Sequence, residues 1–489
     1  MSVRVEYYDV AVGAAEDAAI TATGDTPALN DLTKLPFGAG GTGDIITTSH
    51  NQWVLDGTRV PRDGVPISFL TVQPSNAQCN FSTAPTITIE FDARYTSQGI
   101  SLFFLGDAWC TSLNIKWYRG NTQLSSMNFT PTALACFCEN AVESYDKVVI
   151  TLNKTSLPSR RLMLDKILFG VLRSFDRSAF RSGSIKVLQE IDPTSRELAA
   201  NALDMTLNSP SPVEYLFQYR QPVTAYDDNT LIGVFYVDKA DRLGEKLYAI
   251  SCIDAVGLLG DDLYPDMVLN DANAYALAQS ICQGYDLTME ATLQGKTVKG
   301  VLVGKTRREA LQQLCFAIGA VADTSGDTGI KIFKLPTTGA INIPTSRARS
   351  PKVIAEAVVT AVQLTAHSYS TTSSSGAEEI TINGVTYYDT KTVTTVANPL
   401  ATASDKPNVI AVSDATLIST DNVAEIAQLL YDQATRRETA DLKFHVATET
   451  MGDLVTVPTW WGDTVTGNLV KATLTLSSFV LADAEVRGT

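Results

Sequence analysis

The chain has 489 residues, of which 45% are hydrophobic and 19% charged, and its formal net charge is −15. At roughly 100–200 residues per domain, this length predicts about three domains, each with its own hydrophobic core. The acidic balance and the absence of a Lys/Arg run disfavour sequence-specific nucleic-acid binding. Such a surface would suit a conduit that DNA passes without adhering, and it is also typical of ordinary soluble proteins.

Targeting and metal-binding signals are not expected. Residues 1–20 carry acidic side chains where a secretory signal needs a basic start and an apolar run, and the longest apolar run, residues 315–322, is far below the ~18 residues of a membrane span. The seven cysteines form no CxxC pair. We therefore expect no metal, no cofactor and synthesis in a reducing cytoplasm, with Cys136 and Cys138 as buried thiols on one strand face.

The first part of the chain predicts a short N-terminal segment, residues 1–40, with a strand that joins the following domains, and then a β-sandwich over residues 41–170. Ile87, Ile89 and Phe91 alternate with polar residues, and so do the apolar residues of 113–117 and 148–152. Turn residues separate these runs at the spacing of a sandwich. The pattern favours a jelly-roll-like module.

Beyond a boundary near residue 170, the sequence predicts a β-rich domain over 171–262, an α+β domain over 263–345 and a C-terminal α+β domain over 346–489. Strands are expected at 184–191, 201–207, 231–238 and 247–254. Helices are expected at 271–283 behind Asp271 as a cap, at 421–438, and after Thr306, which forms a capping box with Glu309 and whose helix ends near Gly319 or Gly326. These helices should pack against a sheet. Asn383 and Gly384 predict a projecting hairpin at 380–388.

A catalytic constellation is not visible, so the chain is predicted not to be an enzyme. It has no HExxH, GxSxG, Walker-type loop or dinucleotide fingerprint, and the glycines of residues 38–43 indicate a flexible loop. A hydrolase using Asp261 and Asp262, or Asp227 and Asp228, stays an alternative, although turn residues around them favour solvated loop carboxylates. The three histidines have no acid or Cys partner at a telling spacing: they are His50, His367 and His445.

Aromatic residues give the candidate binding positions. Trp109 on an apparent loop and Tyr118 on the outward register of its strand are the candidates for glycan binding, whereas Trp117 faces the core. Trp460 and Trp461 are candidates for a subunit interface. Because adjacent residues on a strand face opposite ways, we expect one of them to be buried in its domain and the other to meet a neighbouring chain.

The order of motifs from about residue 184 to residue 489 resembles the hub proteins of phage tail tips and contractile baseplates, the baseplate-hub or tail-associated family. The resemblance rests on IDPTSREL at 191–198, NALDMT at 201–206, QPVTAY at 221–226, GVFYV at 233–237, SCIDAVGL at 251–258, REALQQLCFAIG at 308–319 and GDLVTV at 452–457. It implies a homotrimer in which two β-barrel-like domains per chain alternate in a ring. That ring would dock on the tail tube, surround a channel for DNA or a spike, and contact neighbouring baseplate proteins.

Residues 40–170 are similar to the lectin-like sandwich of some hub proteins from phages of Gram-positive bacteria, through PTITIEF at 85–91, GISL at 99–102, IKWY at 115–118 and VESYDKV at 142–148. This likeness implies binding to a host-surface glycan or to a protein neighbour. The sequence ends at Thr489 without the lytic or fibre-binding extension of many members, which removes the usual reason to predict cell-wall hydrolysis.

The predicted fold class is mainly β with α+β parts, in several domains: β-barrel-like hub domains and a jelly-roll-like sandwich. The predicted function is a structural hub of a phage-type tail tip or baseplate, made in the bacterial cytoplasm and assembled into a virion tail or a tail-like particle. The alternative is a carbohydrate-binding adhesin that recognises host-surface glycans through the sandwich.

Overall fold

The computed structural model describes residues 3–10, 14–23, 69–71, 73–168, 170–209, 217, 219–402, 406–477 and 479–489. The glycine-rich loop at 38–43 and His50 lie outside these ranges. The chain forms two compact units, here unit 1 (1–5, 175–212 and 222–489) and unit 2 (6–174 and 213–221). The division of residues 171–489 into three domains stays a prediction.

The strands and helices follow one another in this order. Up to residue 176 they are β1 (Val3–Val10), α1 (Ala14–Asp17), β2 (Ala19–Thr23), β3 (Phe69–Leu70), β4 (Thr86–Leu105), β5 (Cys110–Arg119), β6 (Thr122–Phe129), β7 (Ala135–Thr155), β8 (Met163–Leu168) and β9 (Gly170–Asp176). Then follow β10 (Lys186–Glu190), β11 (Ala202–Asn208), β12 (Pro222–Asp227), β13 (Thr230–Arg242), β14 (Leu247–Ile253), α2 (Ala255–Leu258), β15 (Met267–Asn273), α3 (Ala274–Ile281), β16 (Leu287–Met289), α4 (Ala291–Gln294), β17 (Thr297–Leu302) and α5 (Arg307–Ile318). The rest are β18 (Val321–Asp323), β19 (Ile330–Phe333), β20 (Ile341–Asn342), β21 (Ala348–Ala355), β22 (Ala361–Ser370), β23 (Glu378–Ile382), β24 (Val385–Ala397), β25 (Val409–Val412), α6 (Val423–Thr435), β26 (Glu438–His445), β27 (Leu454–Pro458), β28 (Thr464–Leu476) and β29 (Val480–Gly488).

Unit 2 is built on one curled sheet with the neighbour order β3-β8-β4-β7-β5-β6, and β2 pairs with β4. The long strands β4 and β7 shift register three times between Glu90 and Gly99, and such irregularities bend a strand, so both halves of each strand can face one core. Ile89 and Ile100, on either side of that bend, are both fully buried in the same cluster. Trp117 is fully buried as well, so its predicted core position is confirmed.

Unit 1 contains an antiparallel run of strands in the order β21-β26-β29-β28-β10-β11-β14-β13-β12, with β27 paired to β28. The strands predicted at 184–191, 201–207, 231–238 and 247–254 correspond to β10, β11, β13 and β14. The strand β13 continues to Arg242 because a register shift after Val237 lets it stay paired with β14. The mainly β fold class with α+β parts is confirmed.

The helices of unit 1 pack against its smaller sheets, as predicted. Leu314 of α5, Ile426 of α6 and Val362 of β22 belong to one buried cluster. The capping box of α5 is present, and Gly319 ends that helix in the left-handed conformation at φ 66°. The predicted cap of α3 was wrong: Asp271 lies in β15, and the side chain of Asn273 accepts a hydrogen bond from the Ala276 amide at 2.9 Å.

The predicted hairpin is formed by β23 and β24. Asn383 and Gly384 have φ values of 50° and 80°, as a two-residue hairpin turn of type I′ requires. Its tip does not project freely, which corrects the prediction. The side-chain amide of Asn383 donates to the carbonyl of Asp266 at 3.0 Å and so holds the turn against the segment that precedes β15.

Gly300 in β17 lies against the backbone of Thr416, and a substitution there tests how close this approach is. A Cβ at this position would lie 2.0 Å from the Thr416 carbonyl oxygen, and its φ of 142° strains any L side chain. We expect Gly300→Ala to lower the free energy of unfolding by more than about 2 kcal/mol, measured by chemical denaturation. Gly295→Ala is the matched control, because no atom lies within 4 Å of its added Cβ. Equal stability of the two variants would contradict a steric conflict between a side chain at position 300 and the Thr416 carbonyl.

Candidate assembly surface and binding residues

Several motifs that carry the sequence resemblance come together in unit 1. The loop at 191–198 lies against α5, where the side chain of Gln312 donates to the Ser195 carbonyl at 2.5 Å and Arg308 Nε donates to the Leu198 carbonyl at 2.8 Å. The Ser195 hydroxyl in turn donates to the Ala320 carbonyl at 2.7 Å, directly after the helix. Two segments more than 100 residues apart in sequence are thereby held in one arrangement.

A buried hydrogen-bond network joins three segments of unit 1, at residue 201, at residue 254 and at residues 323–324. The Asn201 amide group donates to Asp323 Oδ1 at 3.0 Å and to the Thr324 hydroxyl at 3.0 Å. The Thr324 hydroxyl donates to Asp254 Oδ2 at 2.7 Å, and Asp254 Oδ1 accepts from the Gly257 amide at 2.8 Å. These side chains are no more than 4% exposed, so a substrate has no access to them and the network fits an internal structural role.

Sequence reasoning missed this network, although Asn201 and Asp254 lie in quoted motifs. The available signal was the position of Asp254 between a predicted strand and an apolar segment, which is the place of a helix N-cap. Its pairing with Thr324 depends on two segments 70 residues apart, and sequence spacing does not reveal that. Burial raises the pKa of Asp254 to about 6, against a smaller lowering by its hydrogen bonds.

Trp460 and Trp461 lie at the tip of a hairpin arm, here the residues 457–465 at the ends of β27 and β28. Both are exposed, at 70% and 65%. The prediction that one of them is buried was wrong, because they lie in the turn between the strands and not on a strand. The turn is closed by the Thr459 amide, which donates to the Asp463 carbonyl at 2.8 Å, and Gly462 takes a φ of 95°.

The arm extends beyond the neighbouring strand. Thr466 exchanges backbone hydrogen bonds with Thr489 at 2.9 and 3.1 Å, directly after β29 ends at Gly488. Past that point β27 and β28 continue with the paired residues Val457 and Val465, and then Pro458 and Thr464. The two indoles are therefore carried past the end of the sheet on a paired support.

The two glycan candidates lie at opposite ends of β5. Trp109 precedes the strand on a loop and packs partly buried against the core of unit 2, with its ring N–H donating to the Pro131 carbonyl at 3.2 Å. Tyr118 is half-buried near the other end. At ~3.3 Å per residue they are roughly 25–30 Å apart, so one sugar residue cannot contact both.

The remaining candidates have no open catalytic geometry. Asp227 and Asp228 flank the turn between β12 and β13, and Asp262 lies 3.7 Å from Arg307 on a loop after α2. Cys136 and Cys138 face the core with 3.3 Å between their sulfur atoms. Within the described ranges, no group of three or more His, Cys, Asp or Glu residues could hold a metal ion.

A buried His–Asp pair was also missed. His367 Nδ1 lies 2.7 Å from Asp389 Oδ2, and Nε2 lies 3.2 Å from the Ser413 carbonyl oxygen. His367 of β22 and Asp389 of β24 are diagonal neighbours across the strand pair, in which Asp389 lies opposite Tyr369. In the described part of the chain, the imidazole bonds to no Ser hydroxyl or Cys thiol, and the pair ties β24 to the segment after β25.

The comparisons with known proteins give structural neighbours only. No family model and no curated protein matches the sequence. A tail protein from Neisseria meningitidis MC58 is similar at 11% identity over 63% of this chain and 92% of that chain, with a TM-score of 0.46. The prophage MuSo2 43 kDa tail protein from Shewanella oneidensis is similar at 14% identity over 62% of this chain and 93% of that chain, with a TM-score of 0.44.

A further neighbour is the E. coli c3393 protein, a component of the type VI secretion system, at 6% identity over 62% of this chain and 73% of that chain, with a TM-score of 0.39. These three structural neighbours are thus two phage-type tail proteins and one secretion-system component. None of the helices that the structure describes is both long and apolar enough to cross a membrane.

The buried carboxyl of Asp254 predicts a pH-dependent stability. Its folded pKa of about 6 lies above the ordinary 3.8, so its contribution is present below about pH 4 and is lost as the pH rises through 6. The loss amounts to at most about 3 kcal/mol. Asp254→Asn keeps the shape and the helix cap, and its unfolding free energy should fall less than that of the unaltered chain between pH 4 and 6. Parallel pH curves from chemical denaturation would contradict the assignment.

Proposed function

We propose that the chain is a non-enzymatic structural hub of a phage-type tail tip or baseplate, which assembles as a homotrimeric ring around a central channel. The observation that carries the proposal is the exposed pair Trp460 and Trp461 on an arm beyond the sheet end. The sequence resemblance supplies the class of particle, and the exposed pair supplies a physical reason for self-assembly.

Two exposed indoles next to each other are costly in a lone molecule. A tryptophan side chain buries about 150–250 Å² when it is fully covered, and tryptophans are among the commonest anchors of protein interfaces. Clustered exposed apolar side chains of this kind mark contact sites. A head-to-tail contact between copies closes into a ring when its rotation permits, which agrees with the trimer that the resemblance implies.

The proposed partners are the tail tube on one side and a spike or tip protein on the other, with neighbouring baseplate proteins around the ring. The net charge of −15 would keep passing DNA from adhering to the channel wall. Of the motif carboxylates, Asp254 is buried inside the network, and Asp204 and Glu309 bond to Ser251 and Thr306 at the surface, which supports a structural role over a catalytic one. Synthesis in the bacterial cytoplasm belongs to the same proposal.

The mass of the full-length chain in solution tests the ring. Light scattering across a concentration range should give a trimer, or a monomer that becomes a trimer as concentration rises. Trp460→Ala with Trp461→Ala should shift the assembly toward monomer by at least tenfold in concentration. Leu243→Ala is the matched control, because it removes an exposed apolar side chain from a turn of the same unit. A chain that stays monomeric throughout would contradict self-assembly.

A second function is proposed for unit 2, where Asn114, Lys116 and Tyr118 follow one another on the partly exposed face of β5. An aromatic ring beside amide and ammonium groups is the chemistry that sugar recognition uses. Trp109, at the far end of the strand, would serve a separate subsite.

A glycan array probed with the full chain should then give binding that Tyr118→Ala abolishes. Tyr118→Phe, which keeps the ring and removes the hydroxyl, should retain most of it. An array without any signal would remove the adhesin function and would leave the hub unaffected.

A further inference from the structure

Unit 1 contains an open cavity of about 760 Å³ beyond the ends of β21 and α6. Its walls are largely apolar, with Val358, Val359, Leu400, Pro407 and Tyr431 among the lining residues. Leu400 is 86% exposed and Val358 is 42% exposed, so apolar surface faces solvent there. Such a cavity is large enough for aromatic side chains to enter.

The cavity and the Trp arm lie at the same end of the same sheet. Ala355 of β21 pairs with Glu438 of β26, Glu438 pairs with Gly488 of β29, and Gly488 pairs with Gly467 of β28. The cavity begins two residues beyond Ala355, and the arm begins two residues before Gly467. At ~4.8 Å between strands, the two features are about 10–15 Å apart across the sheet.

The arm does not fill the cavity of its own chain, because its two indoles are exposed to solvent. One side of this sheet end thus presents the exposed pair Trp460 and Trp461, here the knob. The other side presents the apolar cavity, here the recess. Identical copies placed side by side at the same level bring the knob of one copy to the recess of the next. That arrangement is a head-to-tail contact, which repeats around a ring.

Size and charge both fit this pairing. The recess exceeds the volume of two indole side chains, which is about 300–350 Å³ when each is treated as a compact aromatic group packed at interior density. Lys406 and Arg437 line the recess, where the Arg437 guanidinium donates to the Glu356 carbonyl at 2.9 and 2.8 Å. The exposed carboxylate of Asp463 follows the two tryptophans, and a guanidinium can also lie over an indole face.

We propose that Trp460 and Trp461 of one copy insert into the cavity lined by Val358, Leu400 and Tyr431 of the next copy. The proposal rests on the ring of the proposed function and names the surface that receives the arm. Asp463 of the inserted arm then lies beside Lys406 and Arg437 of the receiving copy.

Two full-length variants separate the two halves of this contact. Trp460→Ala with Trp461→Ala removes the knob and keeps the recess. Val358→Asp keeps the knob and places a carboxylate in the recess, where it opposes the indoles and Asp463. Val358 is already solvent-exposed, so this change should leave folding intact, which circular dichroism and thermal midpoint verify.

We expect each variant alone to be monomeric at a concentration at which the unaltered chain is a ring. An equimolar mixture of the two variants should form a dimer and nothing larger, because only one knob and one recess remain intact in each pair. Sedimentation velocity measures the three masses. Leu263→Asp, at an exposed position outside the recess, is the matched control for the added charge and should leave the ring unchanged.

The other outcomes overturn the proposal in distinguishable ways. A ring that persists in the Val358 variant but not in the Trp variant means that the arm docks elsewhere. Rings in both variants mean that the arm does not hold the ring. Two monomeric variants that give no dimer when mixed mean that the arm and this recess do not bind each other. In both cases the ring of the unaltered chain still stands. An unaltered chain that stays monomeric at every soluble concentration removes the ring and the contact together.

Discussion

The buried hydrogen bonds between Asn201, Thr324 and Asp254 are the constraint on which the rest of unit 1 depends. In a low-dielectric interior, removing one partner leaves another polar group unsatisfied, so such a network tolerates only one arrangement of its elements. Asn201 precedes β11, which pairs with β10, and β10 pairs with β28. The segment around Thr324, after α5, is thus connected through β11 and β10 to β28, the strand that carries the hairpin arm.

The sequence was informative where structure depends on near neighbours. Alternating apolar residues identified the strands of both units, Thr306 and Glu309 identified the start of α5, and the Asn383–Gly384 pair identified a turn that requires two positive φ values. Each of these signals is a local steric or hydrogen-bonding preference, which short stretches of chain express by themselves. The mainly β class followed from them directly.

What the sequence could not provide depends on tertiary contacts. Asp271 and Asn273 are both good caps, and the choice of Asn273 follows from the pairing of β15 with β17. Trp460 and Trp461 were assigned to a strand because alternation cannot place a turn of five residues, although Gly462 was a signal for one. The receiving cavity is assembled from the segments around residues 358, 400, 407 and 431, so no local sequence pattern predicts it.

Pro458 gives the arm a property that its exposed aromatic residues would otherwise lack. On the outer edge of β27, the Thr456 carbonyl accepts from the Ile343 amide, and the next backbone position that faces the same side is Pro458. Since proline has no amide hydrogen, this edge of the arm lacks the donor that an added strand would need at Pro458. The β27 edge of the arm is thereby a poor template for edge-to-edge aggregation, and on that edge another copy can be met through side chains instead.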